Sequence, residues 1–531
     1  MKHKLLNPLR LLLVAICMLG IAAEGQNVVQ DDFNFELNPA THTATCKGYN
    51  GSSDAPVMPS IINYEGEEYP VTFIGHYALT KKSFKTITLP ETLLQIGEAA
   101  FMNSDKLESV LIPNSVGIIG VIAFQGCTSL KSIKLSENLK VISGGLFRDC
   151  QSLESIEIPN SINHFMESIE NPGLDMETLM EDAMSNCQDP NFFYIGGFSF
   201  WGCTNLKSVI LPKNLKNIPA WCFGKCTNLE NIEMPENIEY IGFDAFEDCP
   251  LKSLDFPANI TQWFNMPFNT MDNNAYFKSY HQNPAPGINF YGQAWPGTLC
   301  VPKGMTGIYS NISDWNRFAR IIEATPAELT SEWRTFCAYE DLDFSGVEGL
   351  EAYIAKEYQD GKVLMEPIEQ VPAGTGIVLK GTPGFYEIPY ANQLEPVENL
   401  LVGLNYGERI AAEDEDGNCN LFFNDATEMA SLYYGPFMDS ERAPRLNAEG
   451  EQPMFAPADG ARLPYHRAYL QLPASEAGKT VEMVFGTLTG IEDVEAAQPQ
   501  TDNAIYNLQG QRVVNPGPGI YIQNGRKFVV R

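Results

Sequence analysis

Basic residues are scarce in this 531-residue chain, which has 35 Lys and Arg against 66 Asp and Glu and a formal net charge of -31. A surface of that sign repels nucleic-acid phosphates and anionic lipid headgroups at long range. Charged residues make up only 19% and hydrophobic residues 44%, which excludes a largely disordered chain. The composition therefore predicts folded domains, more than one because of the length, and no nucleic-acid partner.

Long apolar stretches are equally scarce. After residue 25 no segment reaches the roughly 18 consecutive apolar residues of a transmembrane helix, so the sequence predicts no membrane span. Residues 1–25 join a basic start to an apolar run from Leu11 to Ala23, a pattern typical of an export signal cleaved before Gln26. Cys17 leaves a lipoprotein anchor as an alternative, although the residue before it is larger than that signal requires. We expect an exported protein, at the cell surface or outside the cell.

Histidine is rare, and the sequence contains no familiar catalytic motif. None of the 6 histidines has a spacing typical of metal ligands. There is no Gly-x-Ser-x-Gly turn, no phosphate-binding Gly-rich loop ending in Lys-Ser or Lys-Thr, and no dinucleotide-binding fingerprint. Acidic pairs carry no information in a chain this rich in Asp and Glu, because most are solvated surface. We therefore expect no enzyme, no catalytic residues, no metal and no cofactor.

What the sequence does contain is an internal repeat with a step of 23 residues. The segment Leu107-Glu-Ser-Val-Leu-Ile-Pro113 recurs in seven copies, which begin at Phe84, Leu107, Leu130, Leu153, Leu206, Leu229 and Leu251. One step, of 53 residues, exceeds the period by 30 and indicates an insertion. Units this short cannot bury their own apolar faces, so the period predicts a solenoid with one continuous core.

Alternation along each short strand predicts which side chains face the core. In the copy that begins at Leu107, Val110 and Ile112 point inward, whereas Ser109 and Leu111 point outward. The proline ends the strand because it lacks the N–H that a ladder requires. On the opposite side we expect one phenylalanine per unit to stack as an aromatic column: Phe101, Phe124, Phe147, Phe200, Phe223 and Phe246.

Five of the 12 cysteines share one repeat position: Cys127, Cys150, Cys203, Cys226 and Cys249. Neighbouring rungs lie ~4.8 Å apart, whereas a disulfide prefers a Cβ separation of ~3.8 Å. The spacing therefore favours a column of buried free thiols, packed as small apolar side chains, over disulfides.

These motifs resemble the bacterial surface leucine-rich-repeat family called BspA-like or treponemal-type. The matching pieces are Ile-x-x-Pro, Ile-Gly, Phe, Gly-Cys and Leu-Lys-Ser at fixed offsets over roughly residues 70–260. The resemblance implies a leucine-rich-repeat solenoid with a short strand and an irregular or short helical convex side in each unit. It also implies a surface protein of Bacteroidetes-type bacteria, with adhesion as the expected class of function.

The repeat register divides the first part of the chain. We expect an N-terminal cap over 26–70, repeats over 71–260 with an insertion at 163–192, and a C-terminal cap of the solenoid over 261–326. The insertion has one apolar helical face, which favours packing on the solenoid flank, with an adaptable partner site as the alternative. That face consists of Met176, Leu179, Met180, Ala183, Met184 and Cys187.

Beyond the repeats, short strand-like runs separated by Gly and Pro predict an all-β, sandwich-like domain over 327–489. Its segments Val371–Leu379 and Ala468–Leu472 resemble a module of secreted proteins from Bacteroidetes-type bacteria. Residues 490–503 form a predicted linker. The final segment, 504–531, looks like the short β-rich sorting domain of the type IX secretion pathway. A pair of terminal hairpins that caps the sandwich is the alternative.

Exposed, varying positions on a rigid repeat are where ligand contacts are usually built. One outward column varies from rung to rung, and its members are the candidate binding residues: Thr88, Leu111, Lys134, Glu157, Ile210, Glu233 and Asp255. Sequence drift at exposed positions that are under no functional constraint explains the variation equally well. We predict a secreted or cell-surface protein whose solenoid binds a host or bacterial surface protein. The alternative is glycan binding through the sandwich or through aromatic residues around the cap: Trp263, Phe264, Phe268, Tyr276, Tyr280, Phe290, Tyr291 and Trp295.

Overall fold

The structure, a computed structural model, describes two long stretches of the chain and several shorter ones. They are residues 26–166, 197–260, 262–263, 274–284, 295–313, 315–404, 408–424, 454–457, 462–463 and 466–485, and the backbone of four strands after residue 504. The predicted export signal, the methionine-rich face of the insertion and the predicted linker lie outside the described residues.

The described part of the chain begins with an antiparallel sheet that merges into the solenoid. Its strands are β1 (Gln26–Gln30), β2 (Phe33–Asn38), β3 (Thr43–Tyr49), β4 (Ile61–Tyr64) and β5 (Glu67–Ile74). Asp31 and Asp32, with φ of 51° and 64°, form the two-residue turn between β1 and β2. β3 then pairs in parallel with β5, which starts the parallel ladder of the repeats. Alternate residues of β2, such as Phe33 and Phe35, are fully buried.

The repeats contribute short parallel strands to two sides of the solenoid, which has about ten turns. The strands that contain the Leu-x-Ser motif and those that continue them form three consecutive parallel segments, together called the front sheet. Its strands are β6 (Thr86–Ile87), β8 (Ser109–Leu111), β10 (Ser132–Lys134), β11 (Ser155–Glu157), β12 (Ser208–Ile210), β15 (Ser253–Phe256), β17 (Tyr276–Ser279), β18 (Trp295–Cys300) and β19 (Phe318–Ile322). The side sheet contains β7 (Gln95–Ile96), β9 (Ile118–Ile119), β13 (Asn217–Ile218), β14 (Tyr240–Ile241) and β16 (Gln262–Trp263).

The front sheet extends beyond the seven copies found in the sequence. β17, β18 and β19 continue it in parallel, within the segment for which we expected only a cap. In the column that the repeats fill with small polar residues, β17 and β19 carry Tyr276 and Arg320, whereas β18 keeps a small polar residue, Thr298. The sequence motif therefore ends before the solenoid does, because a rung needs only the strand pairing and an inward apolar residue.

The predicted aromatic column is confirmed. Consecutive rings of Phe101, Phe124, Phe147, Phe200, Phe223 and Phe246 stack with centroids 4.9 to 5.8 Å apart. All six side chains are fully buried, as are the leucines that precede the front strands. Val110 and Ile112 face the core and Leu111 faces outward, as the alternation predicts.

The column of cysteines contains free, buried thiols. Each thiol donates a hydrogen bond to the carbonyl of the stacked phenylalanine one rung earlier, for example Cys203 Sγ to Phe147 O at 3.1 Å. In the first copy Ser104 makes the equivalent bond to Leu79 O at 2.9 Å. This repeat position therefore requires a small side chain that can donate a hydrogen bond. The expectation of purely apolar packing did not include that hydrogen bond. Burial raises the pKa of Cys127 to about 12.

The insertion does not interrupt the stacking of the rungs on either side of it. Ser155 pairs with Ser208 across the 53-residue step, and the rings of Phe147 and Phe200 remain in contact. Phe165, which replaces the usual isoleucine, is buried and bridges to the side sheet. The buried amide of Asn217 receives the Phe165 N–H and donates to its carbonyl, both at 3.0 Å, in place of a strand partner.

The solenoid ends in a short helix and a 3-10 turn, after which an all-β region begins. The helix is α1 (Thr306–Tyr309) and the turn spans Trp315–Arg317. The strands are β20 (Ala324–Leu329), β21 (Trp333–Phe336), β22 (Leu342–Asp343), β23 (Leu350–Gln359), β24 (Lys362–Pro367), β25 (Gln370–Val371), β26 (Ile377–Gly381), β27 (Gly384–Pro389), β28 (Leu401–Leu404), β29 (Glu408–Arg409), β30 (Cys419–Asn424), β31 (Met454–Pro457), β32 (Arg462–Leu463), β33 (Arg467–Leu472) and β34 (Val481–Phe485). A 3-10 turn at Ala474–Glu476 precedes β34.

Nine of these strands form one sheet, in the order β21-β26-β23-β24-β34-β31-β30-β33-β28. One apolar cluster includes Trp333, Val378 and Leu470, and a second includes Phe336, Leu379 and Ile388. Val378 and Leu379 are neighbours on one strand, so the two clusters lie on opposite faces of the sheet. The pair β20–β27 contributes to the second cluster, which makes the region layered and all-β as predicted.

The last four strands form a separate antiparallel sheet, in the order Arg512–Val513, Ile505–Tyr506, Gly519–Gln523 and Arg526–Val530. They are β35 (Ile505–Tyr506), β36 (Arg512–Val513), β37 (Gly519–Gln523) and β38 (Arg526–Val530). A β-rich C-terminal segment is therefore present. Its role in sorting stays a prediction.

Candidate functional site

The candidate binding residues lie on the outward face of the front sheet, and parallel pairing fixes their register. Leu111 pairs with Lys134, Glu157 with Ile210, and Thr88 forms a bridge with Val57. Because parallel strands stack in register, these side chains form one row, here called the variable column. Val57, with 63% of its surface exposed, extends the row by one rung at the N-terminal end. The repeat pattern of the sequence does not include Val57, because its segment lacks the Leu-x-Ser motif.

Exposure divides the variable column into two parts. Thr88, Leu111 and Lys134 are exposed, and 45% of the Leu111 surface is accessible to solvent. The remaining four members are half-buried: Glu157, Ile210, Glu233 and Asp255. The exposed part of the row therefore lies in the first rungs of the front sheet.

A second row of side chains, here called the charge column, directly precedes the front strands and alternates in sign. Its members follow the leucine that starts each copy: Lys85, Glu108, Lys131, Glu154, Lys207, Glu230 and Lys252. Asp54 pairs with Lys85 at 2.9 Å, and Glu108 pairs with Lys131 at 2.9 Å. The hydrogen bond from Lys131 lowers the pKa of Glu108. The alternation in sign is already visible in the aligned repeat copies of the sequence.

Asp255 departs from the expected exposure, because the all-β region covers it. Its Oδ2 atom lies 3.2 Å from Nε2 of His466 and accepts a 2.9 Å hydrogen bond from the Tyr280 hydroxyl. Only 13% of each side chain, Asp255 and His466, is exposed. The other ring nitrogen of His466 lies 2.9 Å from the Cys337 carbonyl, so Nδ1 carries the proton in that bond.

The rungs that follow Asp255 are covered in the same way. Lys278 pairs with Asp255 in the ladder, and only 2% of its side chain is exposed. Its ammonium group donates to Glu340 at 2.8 Å and to the Thr325 hydroxyl at 2.9 Å. A buried ion pair with a second hydrogen bond fixes the geometry of the two elements that supply it. The solenoid and the all-β region therefore meet through a specific polar contact.

A third polar contact lies on the neighbouring outward column. Arg320 donates two parallel hydrogen bonds to the carboxylate of Glu387, at 2.7 and 2.9 Å, and Tyr276 donates a third at 2.8 Å. The bidentate bond from Arg320 lowers the pKa of Glu387. Burial, together with the bond to Glu387, raises the pKa of Tyr276 to about 12. The Tyr276 ring also stacks on Phe385, with centroids 4.9 Å apart.

A single residue, Glu323, separates the last solenoid strand from β20. Its Oε1 atom accepts hydrogen bonds from the backbone N–H and the hydroxyl of Thr306, at 3.2 and 2.8 Å. A hydrogen bond from the Gly304 backbone is the largest cause that lowers the Glu323 pKa. The short junction and its bonded side chain restrict the orientation of the all-β region on the solenoid.

The aromatic residues considered for glycan stacking are used for packing where the structure describes their side chains. Tyr276 stacks on Phe385, Tyr280 contacts Asp255 and His466, and Trp295 is 5% exposed. The side chains of the other five lie outside the described residues: Trp263, Phe264, Phe268, Phe290 and Tyr291.

Within the described ranges, no three His, Cys, Asp or Glu side chains are grouped as metal ligands. In the part of the chain that the structure describes, no helix has both the length and the apolar character needed to cross a membrane.

Comparison with known proteins identifies the repeats. The BspA type leucine-rich repeat region matches residues 66–171 and 175–278, in six copies. No curated protein matches the chain. A solved leucine-rich repeat protein of T. pallidum is 26% identical, with a TM-score of 0.32, and the match covers 41% of this chain and 86% of that protein.

Two further solved structures are similar. A leucine-rich repeat protein from Bacteroides ovatus is 25% identical, with a TM-score of 0.34, over 56% of this chain and 78% of its own. A leucine rich cell surface protein from Faecalibacterium prausnitzii is 18% identical, with a TM-score of 0.24, over 57% and 96%. The fold, the aligned repeats and the family match agree, so the solenoid of this chain is a BspA type leucine-rich repeat region.

Proposed function

We propose that this chain is an exported cell-surface protein that binds a host or bacterial surface protein and is not an enzyme. The observation that carries the proposal is the exposed part of the variable column. Thr88, Leu111 and Lys134, with Val57 before them, lie in register on a rigid parallel sheet and face solvent. The row offers apolar, hydroxyl and cationic groups side by side, so it can make both apolar and polar contacts with a partner.

The later rungs of the same face do not contribute to this proposed site. The all-β region covers Asp255 and Lys278, and their polar groups are engaged there. A partner that approached the front sheet from solvent would therefore not reach these two rungs, and the side chains most accessible to it are those of the first rungs. The proposed site is thus centred on the exposed part of the variable column, nearest to the N-terminal cap.

The test is a binding screen with an array of purified host and bacterial surface proteins, run beside a glycan array. The probe is the full chain, in wild-type form and as the variants Leu111→Asp and Lys134→Glu. Lys213→Glu, an exposed lysine away from the variable column, is the matched control for Lys134→Glu. We expect the two column variants to lose at least about tenfold in affinity for the captured protein, and the control to bind as the wild type does.

Two results would contradict the proposal. The first is that no protein on the array is captured. The second is that both column variants bind as tightly as the control. Capture on the glycan array alone would support the alternative ligand class.

We also propose that residues 504–531 direct sorting to the cell surface. Their separate four-stranded sheet supports this, since a terminal sheet of its own is available to a secretion machinery. Cell fractionation of a chain that lacks 504–531 tests it. Unchanged surface display would favour a role as terminal hairpins that cap the all-β region.

A further inference from the structure

The first strand, β1, leaves one edge of its sheet open. It pairs with β2 in an unbroken antiparallel register, and no other strand among the described residues pairs with it. Natural proteins protect such edges with charges, prolines or bulges. β1 has none of these, because its sequence is Gln-Asn-Val-Val-Gln. An uncharged, unprotected edge is a template for a further strand.

The register of β1 identifies which backbone groups face the open edge. Because the turn to β2 has two residues, Gln30 and Phe33 form the first hydrogen-bonded pair of the hairpin. Bonded pairs alternate along an antiparallel ladder, so Val28 and Phe35 form the next one. The N–H and C=O groups of Asn27 and Val29 therefore point away from β2, toward the open edge.

The side chains of the same strand are also incompletely covered. Val28 packs against the solenoid core but is only partly buried. Val29, on the other face, has 67% of its surface exposed. A strand added at this edge would cover both valines and would pair with the outward backbone groups of Asn27 and Val29.

We propose that a second copy of this chain adds its own β1 to this edge, antiparallel, with the two-fold axis at Val28. In that register Asn27 lies opposite Val29 of the second copy, and Val29 lies opposite Asn27. These are the residues whose backbone groups face outward, so all four donor–acceptor pairs are formed at once. Val28 meets its own equivalent, and the apolar edge of each core is covered. The edge is thus self-complementary, which is the condition for an isologous dimer.

The dimer is a weak one. Five residues on each side bury less surface than the ~1,200 Å² of a stable interface, so we expect a dissociation constant of about 100 µM. The formal charge of -31 on each copy opposes association, and salt therefore strengthens it. On a crowded surface such an interface would present two solenoids together and increase the avidity of their sites.

The experiment compares Val29→Pro with Val29→Ala in the full chain. Proline at position 29 removes an N–H that faces the open edge and leaves the bonds between β1 and β2 in place. Alanine keeps that N–H and is the matched control. Val29→Lys is a second disrupting variant, because it adds a charge at the edge. Sedimentation velocity from about 10 to about 300 µM, at low and high salt, measures the association.

We expect wild type and Val29→Ala to dimerise, more strongly at high salt. Val29→Pro and Val29→Lys should associate at least about tenfold more weakly, with unchanged circular dichroism and melting temperature. The proposal is overturned if the wild type remains monomeric over the whole range, or if Val29→Pro dimerises as well as Val29→Ala. If capture on a surface-protein array survives in Val29→Pro, the proposed ligand site is separate from this interface.

Discussion

The carboxylate of Asp255 lies 3.2 Å from Nε2 of His466, although the two residues are 211 positions apart in the chain. Asp255 belongs to the last repeat copy, and His466 immediately precedes β33 of the all-β region. The contact covers the end of the front sheet that the repeat pattern alone predicts to be free. It limits the proposed binding surface to the rungs before it.

The buried pair of Lys278 and Glu340 should dominate the stability of the contact between the two regions. Lys278→Met leaves the partly buried Glu340 carboxylate without its cation, so we expect a loss of about 3 kcal/mol in the free energy of unfolding. The double variant Lys278→Met, Glu340→Leu should recover at least half of that loss. Chemical denaturation of the full chain measures both. If the loss in the double variant equals the sum of the losses in the two single variants, Lys278 and Glu340 are not directly coupled.

The contact between the solenoid and the all-β region should weaken in acid, because Glu387 becomes protonated. Its pKa is lowered in the folded protein by the hydrogen bonds from Arg320, so its contribution to stability is complete above pH ~4.5 and is lost as the pH falls through the lowered pKa. Hydrogen exchange of β20 and β27 between pH 7 and pH 3 measures this. Glu387→Gln should weaken protection at neutral pH and reduce the additional loss in acid. If protection in Glu387→Gln depends on pH as it does in the wild type, Glu387 is not the group responsible.

Asp244 should destabilise the folded solenoid at neutral pH. Burial and the neighbouring carboxylates Glu247 and Asp248 raise its pKa to about 6. The group therefore costs stability as the pH rises from its ordinary pKa near 4 to about 6, and the cost remains above that. Asp244→Asn keeps a residue type that tolerates the local φ of 48°. After allowance for solvent screening, we expect this variant to gain about 1 kcal/mol in the free energy of unfolding at pH 7 and nothing at pH 3. Thermal unfolding at the two pH values measures the difference.

The thiol column should require a small donor at each rung. Cys203→Ala removes the bond to the Phe147 carbonyl and leaves a small cavity, so we expect a loss of about 1–2 kcal/mol. Cys203→Ser should be tolerated better, because Ser104 makes the same bond in the first copy. Denaturant unfolding ranks the two variants. A serine variant less stable than the alanine variant would show that apolar packing alone decides the position.

The thiols of the same column should not react with alkylating reagents in the folded state. Burial raises the pKa of Cys127 to about 12, and the thiolate is the reactive form. Alkylation at pH 8 should therefore label the column only after unfolding, as mass spectrometry of the modified peptides will show. Labelling of the native column at the rate of free cysteine would contradict its burial.

The sequence alone determined the solenoid. A period of 23 residues places leucines, phenylalanines and cysteines at fixed offsets, and stacking identical units requires equivalent side chains to form columns. The phenylalanine stack, the buried thiols and the inward and outward alternation follow from that rule without coordinates. The outward row from Thr88 to Asp255 follows from it as well.

Only the tertiary structure decided which part of that row is free. The three added rungs, β17 to β19, have no repeat motif, because a rung tolerates Tyr276 or Arg320 at an outward position that the repeats give to small polar residues. The pairing of Asp255 with His466 joins residues far apart in the chain, and no local period encodes it. Periodicity specifies contacts between neighbouring units. Contacts between a repeat and a non-repeating region depend on how two surfaces meet, which only the folded chain defines.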